Sequence, residues 1–257
     1  MTDFRKTKIP LPPTLAEQTA IAIALSDMDS LIQAQEQLIA KKRAIKQGAM
    51  QELLKPKEGW VVKKLKEVAN FRRGSFPQPY GLPKWYDEDN GMPFVQVYDV
   101  DKNMRLKPDT KQKISDLAKG KSVFVPEGTV VLTIQGSIGR IALTQYDAYV
   151  DRTLLIFTNF LVPFNKVFFM FIVYRLFQIE SEKAPGGTIK TITKEKLSEF
   201  EIAFPEKQEQ TRIANILSDM DTEIEQLEVQ LDKYRQVKSG MMQELLTGKK
   251  RLVSCTQ

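Results

Sequence analysis

The chain has no histidine. Imidazole acid–base catalysis and histidine metal ligation are therefore excluded from the outset. It has one cysteine, Cys255, so no disulfide framework forms within the chain and no thiolate metal site can be assembled. A reducing cytoplasm is the compartment this usage fits. Long apolar runs are also missing. The most apolar stretch, 160–179, is interrupted by Pro163, Asn165, Lys166 and Arg175, which predicts a buried helix and no membrane span. The first residues, 1–13, are polar and proline-rich and do not form a secretory signal. Walker and Rossmann glycine spacings are absent too. The densest acidic run, Asp87-Glu88-Asp89, reads as a solvated loop.

What is present is a core-forming composition, 42% hydrophobic over 257 residues, and a net charge of +6 that is unevenly spread. Residues 55–200 hold 23 Lys/Arg against 16 Asp/Glu, whereas residues 201–257 hold 8 against 10. A polyanionic partner would dock on the middle of such a chain.

An internal repeat organises the rest. Residues 17–54 align without a gap to 209–246, with 21 of 38 positions identical. The shared words are Glu-Gln-Thr, Leu-Ser-Asp-Met-Asp and Met-Gln-Glu-Leu-Leu. In the second copy Ile213, Leu217, Met220, Ile224, Leu227, Leu231 and Tyr234 step alternately by four and three, a heptad seam. The first copy begins the same way with Ile21, Leu25, Met28 and Ile32, then loosens. Two long helices, near 14–54 and 206–246, are expected to pair antiparallel as a stalk. Gly48 and Gly240 recur at equivalent places within them, which suggests a close helix approach, a bend, or simple tolerance in a duplicated module.

The middle changes character. Short β-branched and aromatic runs at 94–98, 130–134, 141–143 and 154–157 predict strands. Helices are expected at 164–181 and from Lys194. The fold class is α+β: one α/β domain over 58–203, flanked by helical segments at 1–57 and 204–257. Three glycine-containing loops carry groups suited to phosphates or base edges. The first offers Arg72, Arg73 and Gln78, the second Gln135 and Ser137, and the third Thr188 and Lys190. Arg152 lies in the same basic domain. Any one of these loops, alone, reads as a plain turn.

Taken together, the motifs resemble the type I restriction–modification specificity subunit. They comprise a helical module ending in Met-Gln-Glu-Leu-Leu, then Trp60 with Leu65-Lys66-Glu67-Val68 and Arg73-Gly74, a Gly136-Ser137-Ile138-Gly139 hairpin, Gly187-Thr188-Ile189-Lys190-Thr191-Ile192, and the module again. The resemblance implies a non-catalytic, cofactor-free subunit whose target recognition domain reads double-stranded DNA. It also implies methyltransferase and endonuclease–translocase subunits as partners and a split DNA site. The Asn-Pro-Pro-Phe-type motif of adenine methyltransferases is lacking. The resemblance differs in one respect, since the chain holds one recognition domain where the family has two. It is expected to correspond to the second half of a full subunit, as a half gene, a rearranged gene or a truncated form. A homodimer, or pairing with another half-subunit, would supply the second reading head. The alternatives are a stand-alone DNA-modifying enzyme with a coiled-coil stalk and a structural coiled-coil adaptor.

Overall fold

The computed structural model describes residues 11–183 and 192–252. Its described residues divide into two compact units, one within 1–48 and 219–257, the other within 49–218. Two 39-residue helices contribute to both, α1 (Leu15–Leu53) and α6 (Lys207–Leu245). Between them in sequence lie β1 (Val61–Lys64), α2 (Leu65–Val68), β2 (Ala69–Arg73), β3 (Met92–Val95), β4 (Gln112–Ile114), α3 (Asp116–Lys119) and β5 (Val123–Val125). These are followed by β6 (Val130–Thr133), β7 (Ile141–Leu143), β8 (Ala148–Val150), β9 (Leu154–Phe160), α4 (Lys166–Lys183), α5 (Lys194–Ser198) and β10 (Glu201–Phe204).

The helical unit is an antiparallel pair. Cross-helix ion pairs join Glu17 to Arg251, Asp29 to Lys238, Glu36 to Arg235, Arg43 to Glu228, Lys42 to Glu223 and Lys46 to Asp221, so rising numbers on α1 meet falling numbers on the opposite strand of the pair. The duplication explains four of these contacts. Asp29–Lys238 and Asp221–Lys46 are one pair of repeat positions used twice, and so are Glu36–Arg235 and Glu228–Arg43. The two copies are thus related by a local two-fold relation. Ile39 and its repeat equivalent Leu231 are both buried, between the Glu36–Arg235 and Arg43–Glu228 pairs in sequence.

The loosening of the α1 seam also has an explanation. The four–three steps continue through Gln35, Ile39, Lys42 and Lys46, so three polar side chains occupy seam positions. Gln35 is only 8% exposed. Its amide donates to the Leu227 carbonyl at 3.0 Å and to Gln230 Oε1 at 3.3 Å, which satisfies the buried donor.

Both helix glycines lie in open space, since a Cβ at either Gly48 or Gly240 would meet nothing within 4 Å. The helices run through both positions without interruption. Close approach is therefore not their role, and each carries only the entropic cost of glycine in a helix. Replacing both by alanine should stabilise the protein by about 1 kcal/mol per site. Chemical denaturation of single and double variants checks this, and a destabilised double variant would show that the glycines do more than tolerate the helix.

The second unit carries the sheets. One is four-stranded and antiparallel in the order β2-β9-β6-β7, and another has the order β4-β3-β8-β5 with β3 parallel to β8. A two-stranded ribbon pairs β1 with β10. Val95, Val125, Ala148 and Val150 of the mixed sheet pack with Val131, Ala142, Leu154 and Ile156 of the antiparallel one. The other face of the antiparallel sheet is covered by α4, where the Phe169 ring meets Phe157 and Phe160, each at 4.9 Å. This sandwiching explains why β6 and the start of β9 are continuous apolar runs: each strand is buried on both faces. The apolar stretch 160–179 is accounted for in the same way, and among the described residues no helix is long and apolar enough to cross a membrane.

One strand ends earlier than its sequence suggests. The run 94–98 leaves the sheet at Val95 and turns into a 3-10 helix over Val97–Asp99. The cause is Asp99, which is fully buried and accepts hydrogen bonds from the Gln96 and Lys111 backbone N–H groups at 2.8 and 3.0 Å. A carboxylate that bonds its own chain three residues back closes a turn and competes with the strand ladder.

Candidate nucleic-acid interface

The parallel pairing of β3 with β8 sets Phe94 opposite Tyr149 and Val95 opposite Val150. The segments that follow, 96–99 and 151–153, therefore emerge side by side, and Asp151 N–H donates to the Val95 carbonyl at 3.0 Å. The β6–β7 turn joins them. Ile134 N–H donates to the Thr153 carbonyl at 2.9 Å, and a Cβ on Gly136 would touch Val97 at 3.4 Å. The 74–80 segment closes the group from the far side. Ser75 N–H donates to the Val150 carbonyl at 3.0 Å, and the Arg152 guanidinium lies 5.4 Å from the Tyr80 ring centre.

Of the residues expected from sequence, Gln78, Gln135, Ser137 and Arg152 come together here, all exposed. Gln78 Oε1 accepts from the Tyr80 backbone N–H at 3.2 Å. Arg73 borders the group at the end of β2. It also faces the start of α5: the Glu195 carboxyl is held low first by backbone N–H and Thr193 hydroxyl bonds, then by the charges of Lys194 and Arg73. Arg72 is exposed on β2, with its Nε donating to the Arg73 carbonyl at 3.4 Å. Thr188 and Lys190 lie outside the described residues.

Four residues absent from the sequence expectations sit in the same cluster: Tyr80, Gln96, Tyr98 and Lys111. The Gln96 side chain is 6% exposed and bridges two phenols. Its Nε2 donates to the Tyr80 hydroxyl and its Oε1 accepts from the Tyr98 hydroxyl. Lys111 Nζ lies 5.0 Å from the Tyr98 ring centre. Burial, and then the charge of Asp151, push the Tyr80 phenol well above its ordinary value, while burial and then Asp99 push Tyr98 up to about 12. Both phenols therefore stay protonated and neutral near neutral pH. Asp151 is 2% exposed. Its Oδ2 accepts from the Thr153 hydroxyl at 2.7 Å, and its buried Oδ1 has no hydrogen-bond partner. The only sequence signal for these residues was the neighbourhood of Pro79-Tyr80 to the first loop. Gln96 and Tyr98 were hidden inside what reads as a strand.

The cluster offers hydrogen-bonding groups of both kinds, flanked by cations. Arginine, lysine and exposed amides bind phosphate oxygens, and amides and phenols can meet base edges. Among the described residues no group of three or more His, Cys, Asp or Glu could hold a metal ion.

The chain as a whole has relatives among known proteins. The chain is 28% identical to a putative type I restriction enzyme MjaX specificity subunit of Methanocaldococcus jannaschii, over 98% of its own length and 61% of that protein's. The crystal structure of the HsdS subunit from Thermoanaerobacter tengcongensis superposes with a TM-score of 0.60 at 21% identity, covering 94% of this chain and 60% of that one. A chain from a structure of type I restriction–modification complex assembly gives a TM-score of 0.70 at 17% identity, covering 97% of this chain and 67% of that one. The chain thus spans about 61% of the length of the M. jannaschii relative. Residues 57–232 match the family described as the type I restriction modification DNA specificity domain, and the chain belongs to that family.

Proposed function

We propose that this chain is the DNA-reading subunit of a type I restriction–modification complex. It would recognise one half of a split duplex site and leave methylation and cleavage to other subunits. The observation that carries this is the convergence of the 74–80, 96–99, 134–140 and 151–153 segments, which brings the exposed Gln78, Tyr80, Gln135, Ser137 and Arg152 together around the buried Gln96, within the most basic part of the chain. In this reading 58–203 is the target recognition domain and 1–57 and 204–257 are the spacer helices; methyltransferase subunits would dock on the chain, and endonuclease–translocase subunits would add to that complex. Arg72, Arg73, Gln78, Gln135, Ser137, Arg152, Thr188 and Lys190 are the proposed contacts, and the cytoplasm is the proposed compartment. The chain itself would neither bind a cofactor nor catalyse.

One reading head meets one half-site. A second head comes most simply from a second copy of the chain, since closed two-fold association is the common outcome of self-association. Two identical heads would read a symmetric, interrupted site. The duplicated ion pairs of the helical unit are compatible with this, because the same contacts recur from either end. Light scattering of the chain, alone and with its methyltransferase subunit and DNA, tests it. A species that stays monomeric throughout would sink the homodimer and leave pairing with a different half-subunit.

The central test is duplex binding across a salt series with the full chain. Affinity should fall with rising salt because phosphate contacts release counterions. Alanine at Arg152 should weaken all duplexes alike and reduce the salt slope by roughly one if its contact is a phosphate, or relax one position at a cost of about 1–3 kcal/mol if it is a guanine. Alanine at both Arg72 and Arg73 that leaves binding and methylation by the assembled complex untouched would show their loop to be structural. Salt-independent binding, or none, would overturn the reading.

A further inference from the structure

Gln96 lies between two tyrosines and makes them unequal. The amide has one donor end and one acceptor end. The hydroxyl that accepts from Nε2, on Tyr80, keeps its own proton for another partner. The hydroxyl that donates to Oε1, on Tyr98, has spent its proton and keeps lone pairs. Exchanging the amide's oxygen and nitrogen exchanges the two tyrosines' roles and preserves the inequality, so the cluster presents one donor beside one acceptor in either case. Tyr86 lies beside Tyr80, where burial and then the charge of Asp151 raise its phenol and a Tyr80 hydrogen bond lowers it in part.

The amide is well held. Gln96 is buried at 6%, and its backbone N–H is fixed by Asp99 Oδ2 at 2.8 Å. Phe76 supports the tyrosine side, with its ring centre 5.0 Å from Tyr80 and 5.4 Å from Tyr86. The Tyr80 side chain is nevertheless reachable, since the residue is 39% exposed. Cations lie over both phenol faces, Arg152 over Tyr80 at 5.4 Å and Lys111 over Tyr98 at 5.0 Å. Rigid hydroxyls between two cations suit a base edge between phosphates.

We infer that the Tyr80–Gln96–Tyr98 triad is a base-reading element that selects a donor–acceptor pair on a base-pair edge in the major groove. This rests on the proposed DNA-reading function. The N6–H/N7 edge of adenine carries such a pair, and so does the adjacent N4–H and O6 of a C·G pair. Thymine alone and guanine alone, with acceptors only, do not. Arg152 and Lys111 position the backbone, and Gln96 is a positioning residue that acts through the two phenols.

The test uses the full chain and a randomised duplex library, followed by single-position substitutions in the selected duplex. Tyr98→Phe and Tyr80→Phe each keep the ring and remove one hydroxyl. Each should relax preference at one shared position by about 10-fold. The loss should fall far more on the selected duplex than on unselected competitor, and the salt slope should be kept because neither change removes a charge. Gln96→Glu makes both phenols donate inward and turns the outward pair into two acceptors, so it should change the preferred base at that same position. A relaxed A·T position identifies the adenine edge, and a relaxed C·G position the mixed edge; either supports the triad. Wild-type selectivity with no position relaxed in any variant of unaltered melting temperature would overturn the inference and leave the DNA-reading function standing. A wild-type chain that selects no duplex would overturn both.

Discussion

Replacing Gly74 by alanine should destabilise the sheet-bearing unit by about 3 kcal/mol, at the upper end of what overpacking costs in a rigid interior. A Cβ at this position would stand 2.2 Å from the Val150 carbonyl oxygen and 2.4 Å from that of Asp151. Both obstacles are backbone atoms, so no rotamer change relieves the clash. The chain would have to move at a point where Gly74 N–H donates to Leu154 and Ser75 N–H to Val150, at 3.1 and 3.0 Å. Those bonds tie the end of β2 to the β8–β9 turn that carries Asp151 and Arg152. Denaturant unfolding followed by tryptophan fluorescence should therefore show a lowered midpoint, and duplex selectivity should be lost with it. Gly120→Ala is the control, because a Cβ there meets nothing within 4 Å. Equal stability of the two variants would mean that the 74–80 segment is not pinned against the turn.

The second large effect is expected in the helical unit. Reversing four charges on α1 alone (Asp29→Lys, Glu36→Lys, Arg43→Glu and Lys46→Glu) turns four cross-helix attractions into repulsions. Exposed pairs contribute only about 0.2–1 kcal/mol each, and like charges cost a similar amount, so the change totals roughly 4 kcal/mol. Reversing Asp221, Glu228, Arg235 and Lys238 on α6 as well should restore most of this, because the pairs are then re-formed with opposite polarity. The melting temperatures of the wild type and of the singly and doubly reversed chains, at low and high salt, decide it. Failure of the second reversal to rescue the first would show that packing along the Ile39–Leu231 seam, and not charge order, sets the antiparallel register. The polarity change along α1, acidic at Asp29 and Glu36 and basic at Arg43 and Lys46, also disfavours a parallel pairing of the two copies, which would set Asp29 against Asp221 and Lys46 against Lys238.

How much of this was legible from sequence depends on the range of the interaction that decides each feature. The repeat, the two long helices and the α6 seam were readable because a helix is closed by bonds four residues apart and its buried face recurs with a fixed period. The buried strands at 130–133 and 154–157 were readable as runs, although not their partners. Along α1 the same periodicity failed at Gln35, Lys42 and Lys46, where polar side chains occupy seam positions. Their partners, Leu227, Glu223 and Asp221, are far away in the chain, and nothing local announces them. Glycine offered two opposite lessons. Gly48 and Gly240 stood out by recurrence and touch nothing, whereas Gly74, which stood out only as part of the Arg73-Gly74 motif, has no room for a single carbon.

The family resemblance, the duplicated helical module, the basic middle and the exclusion of histidine and disulfide chemistry all follow from composition, order and local period, and so could be read along the chain. Which polar groups share a surface depends instead on contacts between segments distant in the chain. Gln96 and Asp151 are neighbours because β3 and β8 pair in parallel, and Tyr80 and Arg152 are neighbours because the end of β2 crosses the β8–β9 turn. Strand pairing joins segments of any separation in the chain, with a register set by side-chain burial on both faces of the sheet. A cluster built by that pairing leaves no periodic trace in the residues that compose it.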